Sequence, residues 1–322
     1  MLSTTMSEES SVRVSVLGVP DSAGAYCVGV EQAPAALRSV GLIEALAAAG
    51  ADVHDAGDLT TRRWKPDRVR PFVQNLPDET EALLELDAKA STLLEAGARL
   101  LVLGGSCMVA VGLCAAVVRR GERPRLIYVD RHLDLNTPHS TNEGSLSWMG
   151  MAHALGVKGA ARELTDAAGP APLLTPADLV YLGVDETQAT DWEREQVQAL
   201  SISVVSQAAV VADPAEAARQ ARSLLSPGPF AVHVDVDVLD FIDAPLAENV
   251  NGRNSGPTIE QLGRVLSELG QHRECWAVSV GQLVPAHAAA DPAALRRFAD
   301  TLASAIAGKP STDEESHRPR AR

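Results

Sequence analysis

The chain has 322 residues and a formal net charge of −14, because 42 acidic side chains outnumber 28 Lys and Arg side chains. This balance argues against nucleic acid as a partner, since a surface that binds phosphates needs clustered basic residues. Aromatic residues make up only 3% of the chain, which also argues against platforms that stack bases. An acidic protein instead favours a cationic small molecule as its ligand.

The cysteines and the N-terminal segment indicate in which cellular compartment the protein works, and both favour the cytoplasm. The four cysteines lie far apart and show no disulfide or metal-binding spacing. Residues 1–11 are polar, and no apolar run approaches the roughly 18 residues that span a bilayer. We therefore expect a cytoplasmic protein with reduced thiols and no membrane partner. We also expect disordered tails over residues 1–11 and 308–322, which leaves one domain over residues 12–307.

Short β-branched runs alternate with Ala- and Leu-rich helical patterns along this domain. In chain order the pattern predicts a strand over 12–19, helices over 33–49 and 79–96, a strand over 99–104, a helix over 109–120, strands over 125–130, 178–184 and 201–205, a helix over 213–225, a strand over 230–237, a helix over 258–269, a strand over 275–280 and a helix over 293–306. This alternation predicts an α/β fold with three layers, in which helices cover both faces of a mostly parallel sheet. Ligands of such folds bind outside the carboxyl ends of the strands.

Two clusters of polar residues follow predicted strands. Asp130, His132 and Asp134 form a D-x-H-x-D triplet, and alternation along an extended segment projects all three to one side. By itself the triplet fits either a metal site or a hydrogen-bonded strand end. Asp235 and Asp237 end another apolar strand, and their like charges would repel each other without compensation. Divalent cations would convert this repulsion into coordination, so the two clusters together predict a site for two metal ions.

The two motifs, in this order, resemble the metal signatures of the ureohydrolase family, which includes arginases, agmatinases and formiminoglutamases. Segments 17–20 and 29–38 resemble the opening loop and first helix of that family. The resemblance implies an arginase-like fold, a homo-oligomer and two manganese ions. In family members a hydroxide that bridges the ions attacks the guanidinium carbon of arginine, hydroxyarginine or agmatine, which releases urea or hydroxyurea and an amine.

The resemblance also implies a role for each residue of the two motifs. Asp130 and Asp235 would bridge both ions, Asp134 would bind the first ion, and His132 and Asp237 would bind the second. Asp134 is counted among the catalytic residues as well.

Two further positions match residues that contact the amino-acid end of the substrate in arginases. These are Asn136 and Thr141, whose alternative role is ordinary turn hydrogen bonding.

Position 107 departs from the family pattern. Cys107 stands where the family has the histidine ligand of the first ion. A thiolate is softer than an imidazole and favours Fe, Co or Zn over Mn, so the first site would change its metal, bind it more weakly or stay empty. Alternatively, Cys107 is a small buried residue without a ligand role. A branch of amidinohydrolases that act on hydroxylated arginine resembles this sequence in having a cysteine there.

Two other departures concern catalytic positions. Ser147 replaces the histidine that is proposed to shuttle protons in the family, and a serine cannot buffer a proton near neutral pH. Gln282 replaces the glutamate that holds the guanidinium, so it keeps the shape but loses the charge. Residues 247–254 replace a loop that contains Gly-Thr-Pro in typical members. These changes leave the choice of guanidino substrate open.

Two functions are consistent with this pattern. The first is a metal-dependent amidinohydrolase that acts on a small guanidino compound, which explains why the Asp and His motifs are present. The second is a catalytically silent homologue that keeps the metal for structure and has a regulatory or binding role, which explains the departures.

Overall fold

A computed structural model describes residues 11–248 and 254–307. The expected tails lie outside these ranges except for residue 11, and so do residues 249–253 of the divergent loop. In the described ranges no helix has the length and apolar character needed to cross a membrane.

Within the described residues, eight strands form one sheet in which every neighbouring pair is parallel. The strands are β1 (Arg13–Gly18), β2 (Asp52–Asp58), β3 (Arg99–Leu103), β4 (Leu126–Val129), β5 (Leu179–Val184), β6 (Ser203–Ser206), β7 (Phe230–Asp235) and β8 (Cys275–Gly281). Their order across the sheet is β2-β1-β3-β8-β7-β4-β5-β6.

Helices cover both faces of the sheet. They are α1 (Ala33–Ser39), α2 (Leu42–Ala48), α3 (Leu76–Glu95), α4 (Met108–Arg119), α5 (Gly150–Ala154), α6 (Arg162–Ala167), α7 (Asp191–Leu200), α8 (Gln207–Ala212), α9 (Pro214–Leu224), α10 (Ile259–Gly270) and α11 (Pro292–Ala307). One apolar core packs against α1, α2 and α8–α11, and a second packs against α3–α6. Because side chains alternate along a strand, Leu101 and Leu103 of β3 enter the first core, while Leu100 and Val102 enter the second.

Several elements differ from the sequence-based prediction, which also missed the helices α5, α6, α7 and α8. The helix predicted over 33–49 is two helices, because Gly41 adopts a left-handed conformation with φ of 85° between them. The pattern missed β2, which lies at the sheet edge and is largely exposed, so it lacks the apolar alternation that marks a half-buried strand. The strand predicted over 230–237 ends at Asp235, and Val236–Val238 form a 3-10 turn.

The centre of the sheet positions the candidate site. Strands β3, β8, β7 and β4 are adjacent in that order. At or after their carboxyl ends stand Cys107, Gln282, Asp235 and Asp130. Parallel strands place these ends on one edge, and residues far apart in sequence therefore meet there.

Candidate metal centre

The D-x-H-x-D triplet lies on a turn and not on an extended segment, so the expectation from strand alternation was wrong in this detail. β4 ends before Asp130, whose Oδ1 accepts a hydrogen bond of 2.6 Å from the backbone N–H of His132. Asp134 then adopts a left-handed conformation with φ of 50°. Such a conformation is costly for a residue with a side chain, and it is common at functional sites.

Asp134 is held by the sheet beneath it. Its Oδ2 accepts a hydrogen bond of 2.5 Å from the hydroxyl of Tyr128. Tyr128 in β4 is paired in register with His233 in β7, and their rings stack with centroids 4.9 Å apart. Burial, followed by the charge of Asp130, raises the pKa of Asp134 well above its ordinary value.

The second motif is also shaped by a local hydrogen bond. The N–H of Asp237 donates to Oδ1 of Asp235 over 2.8 Å, which turns the chain at the end of β7. Oδ2 of Asp235 accepts a hydrogen bond of 2.9 Å from the thiol of Cys107. This hydrogen bond links the end of β7 to the segment that follows β3.

Among the residues that the structure describes, two groups of possible ligand atoms form at this edge, and they share Asp130. In each group, all ligand atoms lie within 4.8 Å of one another. The first group contains Cys107, Asp130 and Asp235, and the second contains Asp130, His132 and Asp237. Asp134 lies beside the first group, since its charge raises the pKa of both Cys107 and Asp235.

The charges of the second group indicate a place for a cation. Burial opposes the charged imidazole of His132, but the nearby charges of Asp237 and Asp130 outweigh it and raise the pKa of His132 well above its ordinary value. Burial, followed by the charge of Asp237, raises the pKa of Asp130 to about 6. Oδ2 of Asp130 and Oδ1 of Asp237 are buried without a hydrogen-bond partner among the described residues. Unpaired buried carboxylate oxygens are costly, and a metal ion would satisfy them.

The first group differs from the second because one of its possible ligands is a thiol. Burial, followed by the charge of Asp235, raises the pKa of the Cys107 thiol well above its ordinary value, so the thiol keeps its proton without a metal. A Cβ at Gly281 would lie 3.1 Å from both Sγ of Cys107 and Cε1 of His233, so this position leaves little room for a side chain. The sequence pattern missed His233, because it stands within an apolar strand. Burial lowers the pKa of His233 to about 3, and its Nε2 has no hydrogen-bond partner in the described part of the chain.

Ser147 lies in a buried hydrogen-bonded loop. Its hydroxyl pairs with Oγ of Ser145 at 2.9 Å, and its N–H donates to the carbonyl of Gly24 at 2.8 Å. His153 is also buried, and its two ring nitrogens interact with backbone groups. Burial lowers the pKa of His153 to about 4. These contacts favour a structural role for His153.

The contacts of Asn136 and Thr141 are those of a loop. Oδ1 of Asn136 accepts hydrogen bonds from the hydroxyls of Ser140 (2.9 Å) and Thr190 (3.4 Å). Oγ1 of Thr141 accepts from the N–H of Glu143 at 3.3 Å. Both residues therefore make the turn contacts that were their alternative role, and a contact with substrate stays a prediction.

Gln282 lies directly after β8 in a left-handed conformation with φ of 58°. Its N–H donates to the carbonyl of Gly105 at 2.8 Å, and its carbonyl accepts from the N–H of Glu248 at 2.8 Å. The residue is 4% exposed, and its Oε1 has no hydrogen-bond partner among the described residues. This buried acceptor is available to a ligand with N–H groups.

Curated relatives with similar sequences are arginases. The arginase of Bacillus caldovelox is 33% identical over 175 residues, which cover 53% of this chain and 57% of that protein. Arginase-1 of Homo sapiens is 31% identical over 172 residues, which cover 53% of each chain. The chain thus matches little more than half the length of these relatives.

Solved structures are similar over nearly the whole chain. The structure of the Bacillus caldovelox arginase matches with a TM-score of 0.83 and 24% identity, over 92% of this chain and 99% of that one. The formiminoglutamase of Trypanosoma cruzi, solved with Mn²⁺, matches with a TM-score of 0.69 and 19% identity, over 91% and 94%. These matches confirm the three-layer fold. The profile of the Arginase family covers residues 12–306. The chain therefore belongs to the arginase family, as its two Asp motifs predicted.

Proposed function

We propose that the protein is a metal-dependent amidinohydrolase, which cleaves a small guanidino compound such as arginine, hydroxyarginine or agmatine to urea or hydroxyurea and an amine. One observation carries the proposal: two groups of ligand atoms share Asp130 at the carboxyl edge of the sheet, and two of their buried oxygens lack a partner among the described residues. A structural salt-bridge network would have paired these oxygens.

The residues of the second group suit manganese. Asp130, His132 and Asp237 provide only oxygen and nitrogen donors, which hard and borderline divalent ions prefer. In the first group, Asp130 and Asp235, with Asp134 beside them, would share the ion with the sulfur of Cys107, which favours a softer metal. A bound divalent ion lowers the pKa of a water molecule towards neutrality and so supplies the nucleophile.

The chain's own residues would orient the substrate and move protons. Hydrolysis delivers a hydroxyl to the guanidino carbon and a proton to the departing nitrogen. We assign the proton transfer to Asp134, whose orientation the hydroxyl of Tyr128 holds. Ser147 cannot buffer this proton. Oε1 of Gln282 would accept a hydrogen bond from a guanidino N–H, and Asn136 and Thr141 would face the other end of the substrate.

The alternative of a catalytically silent homologue gains no support from the comparisons, whose relatives are arginases and a formiminoglutamase. A homo-oligomer in the cytoplasm belongs to the same proposal.

The test is urea or hydroxyurea release from arginine, N-hydroxyarginine and agmatine, with protein loaded with Mn²⁺, Co²⁺, Fe²⁺ or Zn²⁺. We expect release from at least one compound and its loss in Asp235→Asn, because that carboxylate belongs to the first group and touches Cys107. Asp191→Asn is the matched control, since Asp191 has an exposed side chain at the start of α7. Folded, metal-loaded protein that cleaves none of the three compounds would contradict the proposal.

A further inference from the structure

A buried edge connects Glu248 to the candidate substrate residue Gln282. The N–H of Glu248 donates to the carbonyl of Gln282 at 2.8 Å. The preceding residue, Ala247, forms an antiparallel bridge with Leu283. Glu248 therefore lies across this short ladder from the residue that stands in the place of the family's guanidinium-binding glutamate.

The side chain of Glu248 is held in one orientation. Its Oε1 accepts hydrogen bonds from the backbone N–H groups of Tyr26 (3.2 Å) and Cys27 (3.1 Å), and from the thiol of Cys27 (3.5 Å). Tyr26 and Cys27 line a cleft of about 460 Å³, whose wall also includes Ser145. Ser145 in turn contacts Ser147, so the cleft adjoins a loop that the family resemblance assigns to catalysis.

Burial and one candidate metal ligand, Asp237, act on the charge of Glu248. Burial raises its pKa to about 7, against the lowering effect of the hydrogen bonds from Cys27 and Tyr26, and the charge of Asp237 raises it further. In residues 11–248 and 254–307, no Lys, Arg or His lies within ion-pair distance of this carboxylate. A partly buried carboxylate in this position is stabilised by an incoming cation.

We propose that Glu248 supplies the negative charge that recognises a cationic guanidinium, and that this charge has moved from position 282 to position 248 across their shared backbone hydrogen bond. The inference rests on the proposed function and deepens it. Gln282 then contributes a neutral acceptor, while Glu248 selects charged guanidines over uncharged ones. Position 248 is thus a specificity-determining residue of the same site.

The experiment compares Glu248→Gln with Gln282→Glu and with the double variant. The substrates are agmatine, which is cationic at the guanidino group, and an N-hydroxylated guanidine, which is less basic. Glu248→Gln keeps an oxygen acceptor for Tyr26 and Cys27, so the loop contact is retained. We expect it to lower kcat/KM for agmatine about tenfold to a hundredfold relative to the hydroxylated compound, as the loss of a charge-assisted hydrogen bond does.

The double variant distinguishes two roles of Glu248, which are recognition of the guanidinium and anchoring of the segment at Tyr26 and Cys27. It returns a carboxylate to position 282, and we expect it to restore most of the lost preference for agmatine. A residue that only anchors Tyr26 and Cys27 would not be rescued in this way. Glu195→Gln removes the same charge from an exposed position on α7 and should leave the preference unchanged. Glu248→Asp, which keeps the charge, should retain the preference even if the shorter side chain lowers the melting temperature.

A binding experiment tests this inference independently of the proposed function. Calorimetry with metal-loaded protein measures the binding of agmatine against that of a ureido compound that has the same shape and the same terminal amine but no charge at the ureido group, and Glu248→Gln should weaken the binding of agmatine alone. Wild-type protein without turnover would contradict the proposed function, and the calorimetry would still test Glu248. An unchanged preference in Glu248→Gln, or a double variant that melts like wild type and is not rescued, would overturn the inference.

Discussion

At the scale of single residues, Cys107 determines how strongly the first ligand group binds a hard metal ion. Its thiol donates a hydrogen bond to Asp235. Both its sulfur and the ring of His233 lie 3.1 Å from the place that a Cβ of Gly281 would take. Because the thiol holds its proton strongly, a metal must displace that proton before the sulfur can bind. This requirement lowers the affinity of the group for a hard ion.

We predict that wild-type protein equilibrated with Mn²⁺ binds less than the full two-ion load, and that Cys107→His increases the load. An imidazole suits manganese better than a thiol does, because its nitrogen is a harder donor than sulfur. Elemental analysis after dialysis measures the load. Cys114→Ala serves as a control, because Cys114 is an equally buried cysteine in α4 outside both ligand groups. Two tightly bound Mn²⁺ per chain in wild type and in Cys107→Ala would show that sulfur softness does not matter here.

At the scale of elements, the edge strand β2 depends on an ion pair from α1. The guanidinium of Arg38 donates to both oxygens of Asp55 at 2.9 Å and to Asp58 at 2.6 Å. Asp58 packs against Gly18 of β1, where a Cβ would lie only 1.8 Å from Oδ1 of Asp58. A polar and largely exposed strand is thereby held to the sheet by its parallel ladder with β1 and by one arginine.

We predict that Arg38→Ala lowers the free energy of unfolding by about 1 kcal/mol, a value discounted for the partial exposure of Asp55 and Asp58. Amide hydrogen exchange should become faster in residues 52–58. Arg13→Ala is the matched control, because Arg13 lies 3.8 Å from Asp52 with both side chains largely exposed, and it should change little. Urea unfolding and exchange measurements check both variants. Equal exchange rates over residues 52–58 in the two variants would exclude the proposed tether.

At the scale of the whole molecule, buried carboxyl groups make stability depend on pH. Burial raises the pKa of Asp21 to about 6, and burial followed by the charge of Asp21 raises the pKa of Glu79 well above its ordinary value. A folded state with raised carboxyl pKa values binds protons more tightly than the unfolded chain, so its stability falls as pH rises through these values. His132 acts in the same direction, because its stabilising charge is lost as pH rises through its raised pKa. The neutral histidines, with lowered pKa values, oppose this trend only below about pH 6.5, where the unfolded chain binds their protons.

We predict that the melting temperature of metal-free protein falls as pH is raised from about 6.5 to 9, where those neutral histidines no longer contribute. Mn²⁺ should reduce this fall, because it favours the deprotonated ligands. Glu79→Gln should reduce it independently of metal, since Glu79 lies outside both ligand groups. Thermal scans across this range, with chelator and with Mn²⁺, measure both effects. A melting temperature that rises over this range in the metal-free protein would contradict the assignment of buried protonated carboxyls.

The pattern of the sequence was sufficient for the family, the fold class and most of the buried elements. Alternating apolar strands and helices predict a parallel sheet, because burial on two faces imposes a period that is visible in one chain. The candidate ligands were also visible, since paired carboxylates after apolar strands are costly without a cation. The domain limits at residues 12 and 307, and the roles of Asn136, Thr141, Ser147 and Gln282, stay predictions.

Tertiary structure alone decided which atoms meet. The contact of Cys107 with Asp235, the stacking of Tyr128 on His233 and the approach of Glu248 to position 282 all join distant segments. No local period encodes such contacts, because strand order and register determine them. The turn at Asp130 and the exposed strand β2 escaped prediction for a related reason. The first depends on a side chain that bonds to its own backbone, and the second lies exposed at the sheet edge, where it lacks the apolar alternation of a half-buried strand.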